Sequence, residues 1–350
     1  MKVRQHSHNL QAELPYEHIP LESKRSMRLV KISPADSWAP LKCEIIQVDT
    51  LDNAPAYEAI LYTWGDYRIR HPLVCGPEGQ ILQVSESCIS VLRRIRLSDV
   101  PRVVWVDAIC INQDDDLERN TQVAMMGQIY HQAIRVIIDL GEESVHSNDA
   151  IDYIADCSET GLHELQYGLE IRDVIKSFYE RPWFHRVWVL QEAYMSQEAI
   201  TLCGQRWTLW LTFRPFHIWV DARAMREIEP LHVALPHARP SVLELGNRRN
   251  RVYTAREHLL PLLVKGRTCG ATDDRDRLFA LLPMLDDVQY DDAALIADYT
   301  KPLHRSTSSW PRGSQRTSGR PSSRVSTARA AFPTCHPGLQ TGASTSYQAG

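Results

Sequence analysis

The stretch that most constrains this chain of 350 residues runs from Val103 to Leu140. It opens on Val103–Ala108 (VVWVDA), nearly continuous in apolar character, and closes on Val136–Leu140 (VIIDL), stopped by Gly141. Apolar runs of this kind suit parallel strands covered on both faces. Between them, Asp114–Asp116 supply the negative charge that a helix start favours. Val123, Met126, Ile129, Tyr130 and Ala133 then recur at helical spacing. Strand, helix and strand in this order predict a βαβ unit with a right-handed crossover. The expected fold class is α/β, a mostly parallel sheet flanked by helices, with additional helices toward the C-terminus.

The neighbouring segments extend this pattern. Strands are expected at Met27–Ile32, Leu41–Val48, Tyr57–Trp64 and Ile81–Val84, and again at Ala199–Cys203. Gly65-Asp66 and Gly76-Pro-Glu-Gly79 read as turns. Ser85 or Ser87 caps a helix running to about Arg96, with Cys88, Val91, Leu92 and Ile95 on one face. Further helices are expected at Ala150–Ala155, Glu170–Glu180 and Trp188–Ser196, from Cys203 to about Ala224, and at Val252–Lys265 and Arg275–Leu282. Pro182 breaks the second of these, and Pro230–Pro240 reads as a loop.

Composition narrows the class of partner. Hydrophobic residues make up 43% of the chain, enough for a full core. Residues 301–350 carry one Lys, six Arg and no acid, so a net charge of −4 leaves −11 on the first 300 residues. An acidic body argues against nucleic acid as the main ligand. The eight cysteines are scattered without a Cys-x-x-Cys pair and read as buried free thiols of a reducing compartment. The N-terminus lacks an apolar secretory core, and no stretch approaches about 20 apolar residues. A cytoplasmic protein with no membrane span is expected.

Several residues have both a structural and a chemical reading. Asp107 stands near the carboxyl end of its strand, where ligands of open α/β sheets gather, and it equally suits a helix cap or a turn. Trp64, Trp105, Trp183 and Trp188 read first as core or cleft-wall residues, with base stacking as the alternative. Asn112 and Gln113 either tie down the loop after the strand or touch a ligand. Glu118 and Arg119 suit a helix start. Arg181 and Arg186 either hold phosphates or pair with acids. Cys110 has no basic neighbour to activate it. No His or Cys set has zinc spacing and no phosphate-binding Gly-x-x-x-x-Gly-Lys motif occurs, so neither a metal site nor a P-loop is expected.

Three blocks in order carry a resemblance: Tyr57-Glu-Ala-Ile-Leu-Tyr-Thr-Trp-Gly-Asp66, Val104-Trp-Val-Asp-Ala-Ile-Cys-Ile-Asn-Gln113 with its continuation to Gly141, and Arg181-Pro-Trp-Phe-His-Arg-Val-Trp-Val-Leu-Gln-Glu192. Cys203-Gly204, Ala271–Leu282 and Asp298-Tyr299 extend it. Together they resemble the fungal heterokaryon incompatibility (HET) domain over residues 27–300, behind a polar leader at 1–26. The resemblance implies a role in non-self recognition and programmed cell death after fusion of unlike fungal cells. HET domains are distantly similar to TIR domains, which implies a flavodoxin-like sheet.

Some TIR domains hydrolyse NAD with a Glu four residues after a Trp, and Trp188 and Glu192 have that spacing. The resemblance therefore implies NAD as a substrate and Glu192 as the catalytic carboxylate. Tyr62, Trp64, Gly65, Asp66, Asp107, Asn112, Gln113, Arg181, Arg186 and Trp188 are the implied binding residues. The alternative is a non-catalytic signalling module. The implied partners are further copies of the chain or an incompatibility partner protein. After Pro302 the sequence turns Ser, Arg and Pro rich and loses apolar periodicity, which predicts a disordered tail over 301–350. Either a natural tail or a shifted frame or retained intron in the gene accounts for that change.

Overall fold

In the computed structural model, the describable residues are 14–66, 68–76, 79–160, 169–213, 255–285 and 299. The βαβ unit is present. Strand β6 (Arg102–Trp105) leads through a short helix α2 (Asp107–Cys110) to helix α3 (Asp116–Gln132) and strand β7 (Arg135–Asp139). The strand expected to reach Ala108 ends at Trp105, because Asp107 already begins α2. Asp115 caps α3, its carboxylate accepting from the N–H groups of Leu117 and Glu118.

Before this unit come β1 (Met27–Ile32), β2 (Lys42–Val48), β3 (Glu58–Leu61), β4 (Arg70–Cys75), β5 (Gln80–Ser85) and helix α1 (Glu86–Ile95). Ser85 caps α1, accepting from the Cys88 N–H at 3.3 Å, whereas Ser87 donates to the Trp64 carbonyl. After the unit come α4 (Ser147–Thr160), α5 (Leu169–Tyr179), a turn of 3-10 helix at Pro182–His185, α6 (Trp188–Met195), β8 (Ala199–Cys203) and β9 (Arg206–Leu209). Helices α7 (Ala255–Arg267) and α8 (Asp276–Phe279) follow, with a 3-10 turn at Leu282–Met284.

The nine strands form one mixed sheet in the order β5-β4-β2-β1-β6-β3-β7-β8-β9. Its heart, β6-β3-β7-β8, is parallel throughout. Counted along the chain, those four strands stand in the order 2-1-3-4. The β1 strand attaches to β6 antiparallel, β2 pairs antiparallel with β1, and β9 closes the other edge antiparallel to β8. The parallel character is thus confined to the centre and the β2–β4 contact. Strand β3 is buried at all four positions and β7 at four of five, as strands sandwiched between layers must be.

Two segments differ from expectation. Strand β4 (RHPLVC) contains Pro72, which weakens a strand signal, yet it pairs along its whole length with β5. The chain after Cys203 was expected to be helical. It instead turns at Gly204, in the left-handed region at φ +56°, and returns as edge strand β9. The expected helix as far as Ala224, the Pro230–Pro240 loop and the 301–350 tail lie outside the described residues.

All described residues belong to one unit, Met1–Ser309. Residues 14–26, grouped in the sequence with the polar leader, run against the fold. The Tyr16 N–H donates to the Ile81 carbonyl at 2.9 Å, and the His18 ring meets the Ile109 carbonyl at 2.8 Å. Among the described residues no helix is long and apolar enough to cross a membrane. Cys43, Cys75, Cys88, Cys110 and Cys203 are free thiols, and like Cys269 they are buried.

Candidate functional site: a buried carboxylate centre

The site grows from the adjacent carboxyl ends of β3 and β6. Beyond β3 the chain runs through Tyr62 and Trp64 to Gly65, which holds φ +70° and lies where a Cβ would come within 3.2 Å of the Ser87 hydroxyl. Only glycine takes that turn freely. Trp64 is thereby aimed at the end of β6, where its indole N–H donates to Asp107 Oδ2 at 2.9 Å. The Asp107 Oδ1 atom accepts from the Ala108 N–H at 2.7 Å, and the Gln113 amide donates to the Asp107 carbonyl at 2.9 Å.

The third block closes over this pair. The turn Pro182–His185 delivers Arg186, whose guanidinium donates to the Tyr62 carbonyl. Helix α6 then starts at Trp188 and is buried at every position from Val189 to Met195. Glu192 is 3% exposed. The Tyr130 hydroxyl on α3 donates to Glu192 Oε1 at a long 3.5 Å, while Oε2 finds no hydrogen-bond partner among the described residues. Gln191 beside it is fully buried with both amide atoms unpartnered. Leaving buried polar groups unsatisfied costs stability, and such groups concentrate where a protein has work for them.

Charge ties these groups together. Burial pushes the Glu192 carboxyl up to about 7. The Arg186 guanidinium opposes that, the Asp107 charge reinforces it, and the Tyr130 hydrogen bond opposes it. Burial also raises Asp107, against the pull of Arg186, the Trp64 indole and the Ala108 N–H. Tyr62 and Tyr130 are raised well above the usual phenol range, first by burial. The centre therefore gathers two carboxyl groups within the electrostatic influence of one guanidinium, with the phenols of Tyr62 and Tyr130 beside them.

Of the residues anticipated from sequence, Tyr62, Trp64, Asp107, Arg186 and Glu192 converge here. Gly65 shapes the turn that brings Trp64 in. Asp66 does not join them: it is exposed and paired with Arg68 at 2.7 Å. Asn112 and Gln113 brace the loop after β6. The Asn112 N–H donates to Glu118 at 2.7 Å, its side-chain oxygen accepts from the Asp114 N–H, and the Gln113 carbonyl accepts from Arg119.

Arg181 is occupied with the loop after β7, donating to the Leu140 and Glu142 carbonyls at 2.9 Å and to the Ser144 hydroxyl at 3.0 Å. Trp188 and Glu192 share helix α6, but the Trp188 side chain hydrogen-bonds Asp276. Trp105 and Trp183 are core residues. Burial holds the Cys110 thiol protonated, near 12.

Sequence reasoning left Tyr130 in the apolar face of α3 and passed over Gln191 and Arg28. The signal for Arg28 was its place between Met27 and Leu29 in a largely apolar strand. It is fully buried and pairs with Glu118 at 2.6 and 2.9 Å, while also holding the Cys110 and Ile19 carbonyls. Among the described residues no group of His, Cys, Asp and Glu could hold a metal.

The family described as heterokaryon incompatibility protein (HET) matches residues 57–192, the span that supplies every group of the centre. Heterokaryon incompatibility protein 6, OR allele, of Neurospora crassa is 26% identical over 335 residues, covering 78% of this chain and 49% of its own length. The chain thus spans about half the length of that curated relative. No solved structure matches. The three blocks that build the centre thus lie within the span that is similar to the HET family.

Proposed function

We propose that this chain acts in fungal heterokaryon incompatibility, as a cytoplasmic effector of the cell death that follows fusion of unlike cells, and that it acts by hydrolysing NAD. The observation that carries the enzymatic part is Asp107, held by Trp64 and Ala108 at the carboxyl ends of parallel strands with the buried Glu192 behind it, where open α/β sheets bind ligands. The 2-1-3-4 order of the parallel heart is that of the flavodoxin-like class and supports the TIR-like reading.

Cleaving the nicotinamide–ribose bond develops positive charge on the sugar. A carboxylate held at the site stabilises that charge, as in glycoside hydrolysis. Arg181 is committed to loop carbonyls and takes no part in this reading. The test is expression of the wild type and of the double variant Asp107→Asn/Glu192→Gln in a fungal cell, following NAD and viability together. NAD loss and death with the wild type, and neither with the variant, is the expected result.

Death at constant NAD would instead favour a non-catalytic module acting through self-association. Leu260 and Val264 favour that second reading, since they are 71% and 61% exposed and one turn apart on α7.

A further inference from the structure

We propose that Asp107 is the carboxylate that meets the substrate, and that Glu192, buried behind it on α6, is a positioning residue. The assignment rests on the NAD-hydrolysis reading above and changes which residue does the chemistry.

Access separates the two carboxylates. Asp107 is half-buried at the sheet edge, beside the half-buried Trp64 ring. Glu192 lies behind them on a helix buried at seven consecutive positions. A nicotinamide riboside group reaches Asp107 from the surface, but reaches Glu192 only by displacing α6.

Orientation separates them again. Each Asp107 oxygen accepts one short hydrogen bond, from Trp64 and from Ala108, and keeps a lone pair for a ligand. The Gln113 amide fixes its backbone carbonyl. A charged group so held needs no reorganisation as the transition state forms. The Glu192 carboxylate has one long contact and, among the described residues, one unpartnered oxygen. The Trp64 ring offers an aromatic face to a cationic pyridinium.

In the step, the bond from ribose C1′ to the nicotinamide nitrogen breaks, and its electron pair leaves on neutral nicotinamide. Asp107 faces the cationic sugar. A water oxygen bonds C1′, and its proton passes to Asp107 and on to solvent.

Glu192 sets the charge of the centre. The groups facing it are Tyr130 from α3, Arg186 from the segment before α6 and Asp107 after β6. The Leu282–Met284 turn brings no titratable group, and His185 is turned to the Tyr179 carbonyl. When Glu192 ionises near pH 7, a second negative charge stands behind Asp107, and the sugar cation is better stabilised.

The test uses the full 350-residue chain with NAD as the probe. Nicotinamide release reports turnover, saturation-transfer NMR on the nicotinamide protons reports binding, and thermal melts check folding. Asp107→Asn is expected to lower kcat at least 100-fold and to weaken binding. Glu192→Gln should keep kcat within about tenfold and KM nearly unchanged. It should also abolish the wild-type rise of kcat through pH 7. Trp64→Phe keeps the ring, loses the N–H and should lower kcat about tenfold.

The assignment is overturned if folded Asp107→Asn retains turnover, or if Glu192→Gln loses as much as Asp107→Asn. If Asp107→Asn does not fold, unchanged kcat in Trp64→Phe overturns it. If the wild type binds NAD without cleaving it, the hydrolysis reading fails, and binding alone decides between the two carboxylates. If the wild type does neither, both readings fall.

Discussion

Arg28 and Glu118 show how the fold handles an unavoidable buried charge. Their side chains are 1% and 8% exposed, and the guanidinium meets both carboxylate oxygens. Burial pushes Glu118 up, but Arg28 and the Asn112 N–H outweigh it and hold the carboxyl below its ordinary value. Removing one partner strands the other, so Arg28→Ala should cost about 3–5 kcal/mol, read as a lowered urea midpoint. Glu118 and Glu192 bias stability in opposite directions with pH. A depressed carboxyl such as Glu118 contributes stability above the unfolded carboxylate range, lost as pH falls through its folded value. Glu192 has the reverse sign. Its folded value near 7 lies above the ordinary 4.5, so the folded state holds the extra proton between those values. Stability falls as pH rises through that window, by something on the order of 3 kcal/mol. Urea midpoints at pH 5 and pH 8 should therefore differ less for Glu192→Gln than for the wild type. An equal difference would mean that Glu192 titrates normally.

Helices α3 and α6 hold Tyr130 against Glu192, and Gly127 lets them approach. A Cβ there would come within 2.9 Å of the Met195 methyl, 3.3 Å of the Gln191 amide and 3.4 Å of Pro283. Gly127→Ala sets a helix-propensity gain of about 1 kcal/mol against a contact that the flexible Met195 end can relieve. Gly127→Leu has no such relief and should cost about 1–3 kcal/mol, seen as a lower melting temperature. Ser85→Ala removes the α1 cap and should cost about 1 kcal/mol by the same measurement. At this scale the sequence was legible wherever an element is buried. Strands β1 and β7 announce themselves by apolar runs, and α1 by its cap and period. The edge strand β9 was not legible, because its short segment (RWTL) is largely exposed and held by backbone pairing with β8. Pro72 hid β4 in the same way, since the β4–β5 ladder outweighs the local signal.

At the scale of the whole molecule, Tyr299, the last described residue, docks onto the βαβ unit. Its ring lies under the guanidinium groups of Arg119 and Arg275, its N–H donates to Asn120 at 2.9 Å, and its hydroxyl reaches Asp276 at 2.5 Å. Trp188, on the helix that carries Glu192, hydrogen-bonds the same Asp276. Tyr299→Ala should therefore cost on the order of 2 kcal/mol in unfolding experiments. It should also increase amide hydrogen exchange in α6. An unchanged α6 exchange rate would mean that the docking does not support the centre.

The sequence by itself determined the α/β class, the order of the central elements and the three blocks, because burial of local apolar periods is written residue by residue. Only the tertiary structure decided which polar groups act together. Arg181 and Arg186 are the same side chain within one block, yet one is used up by the carbonyls after β7 while the other donates to the Tyr62 carbonyl and lowers the pKa of both Asp107 and Glu192. Asp66 and Asp107 both follow strands of the parallel heart, yet one faces solvent with Arg68 and the other is held by Trp64. Charge and hydrogen bonding act over a few ångströms of space, and the spacing of residues along a chain does not report that distance until the chain has folded.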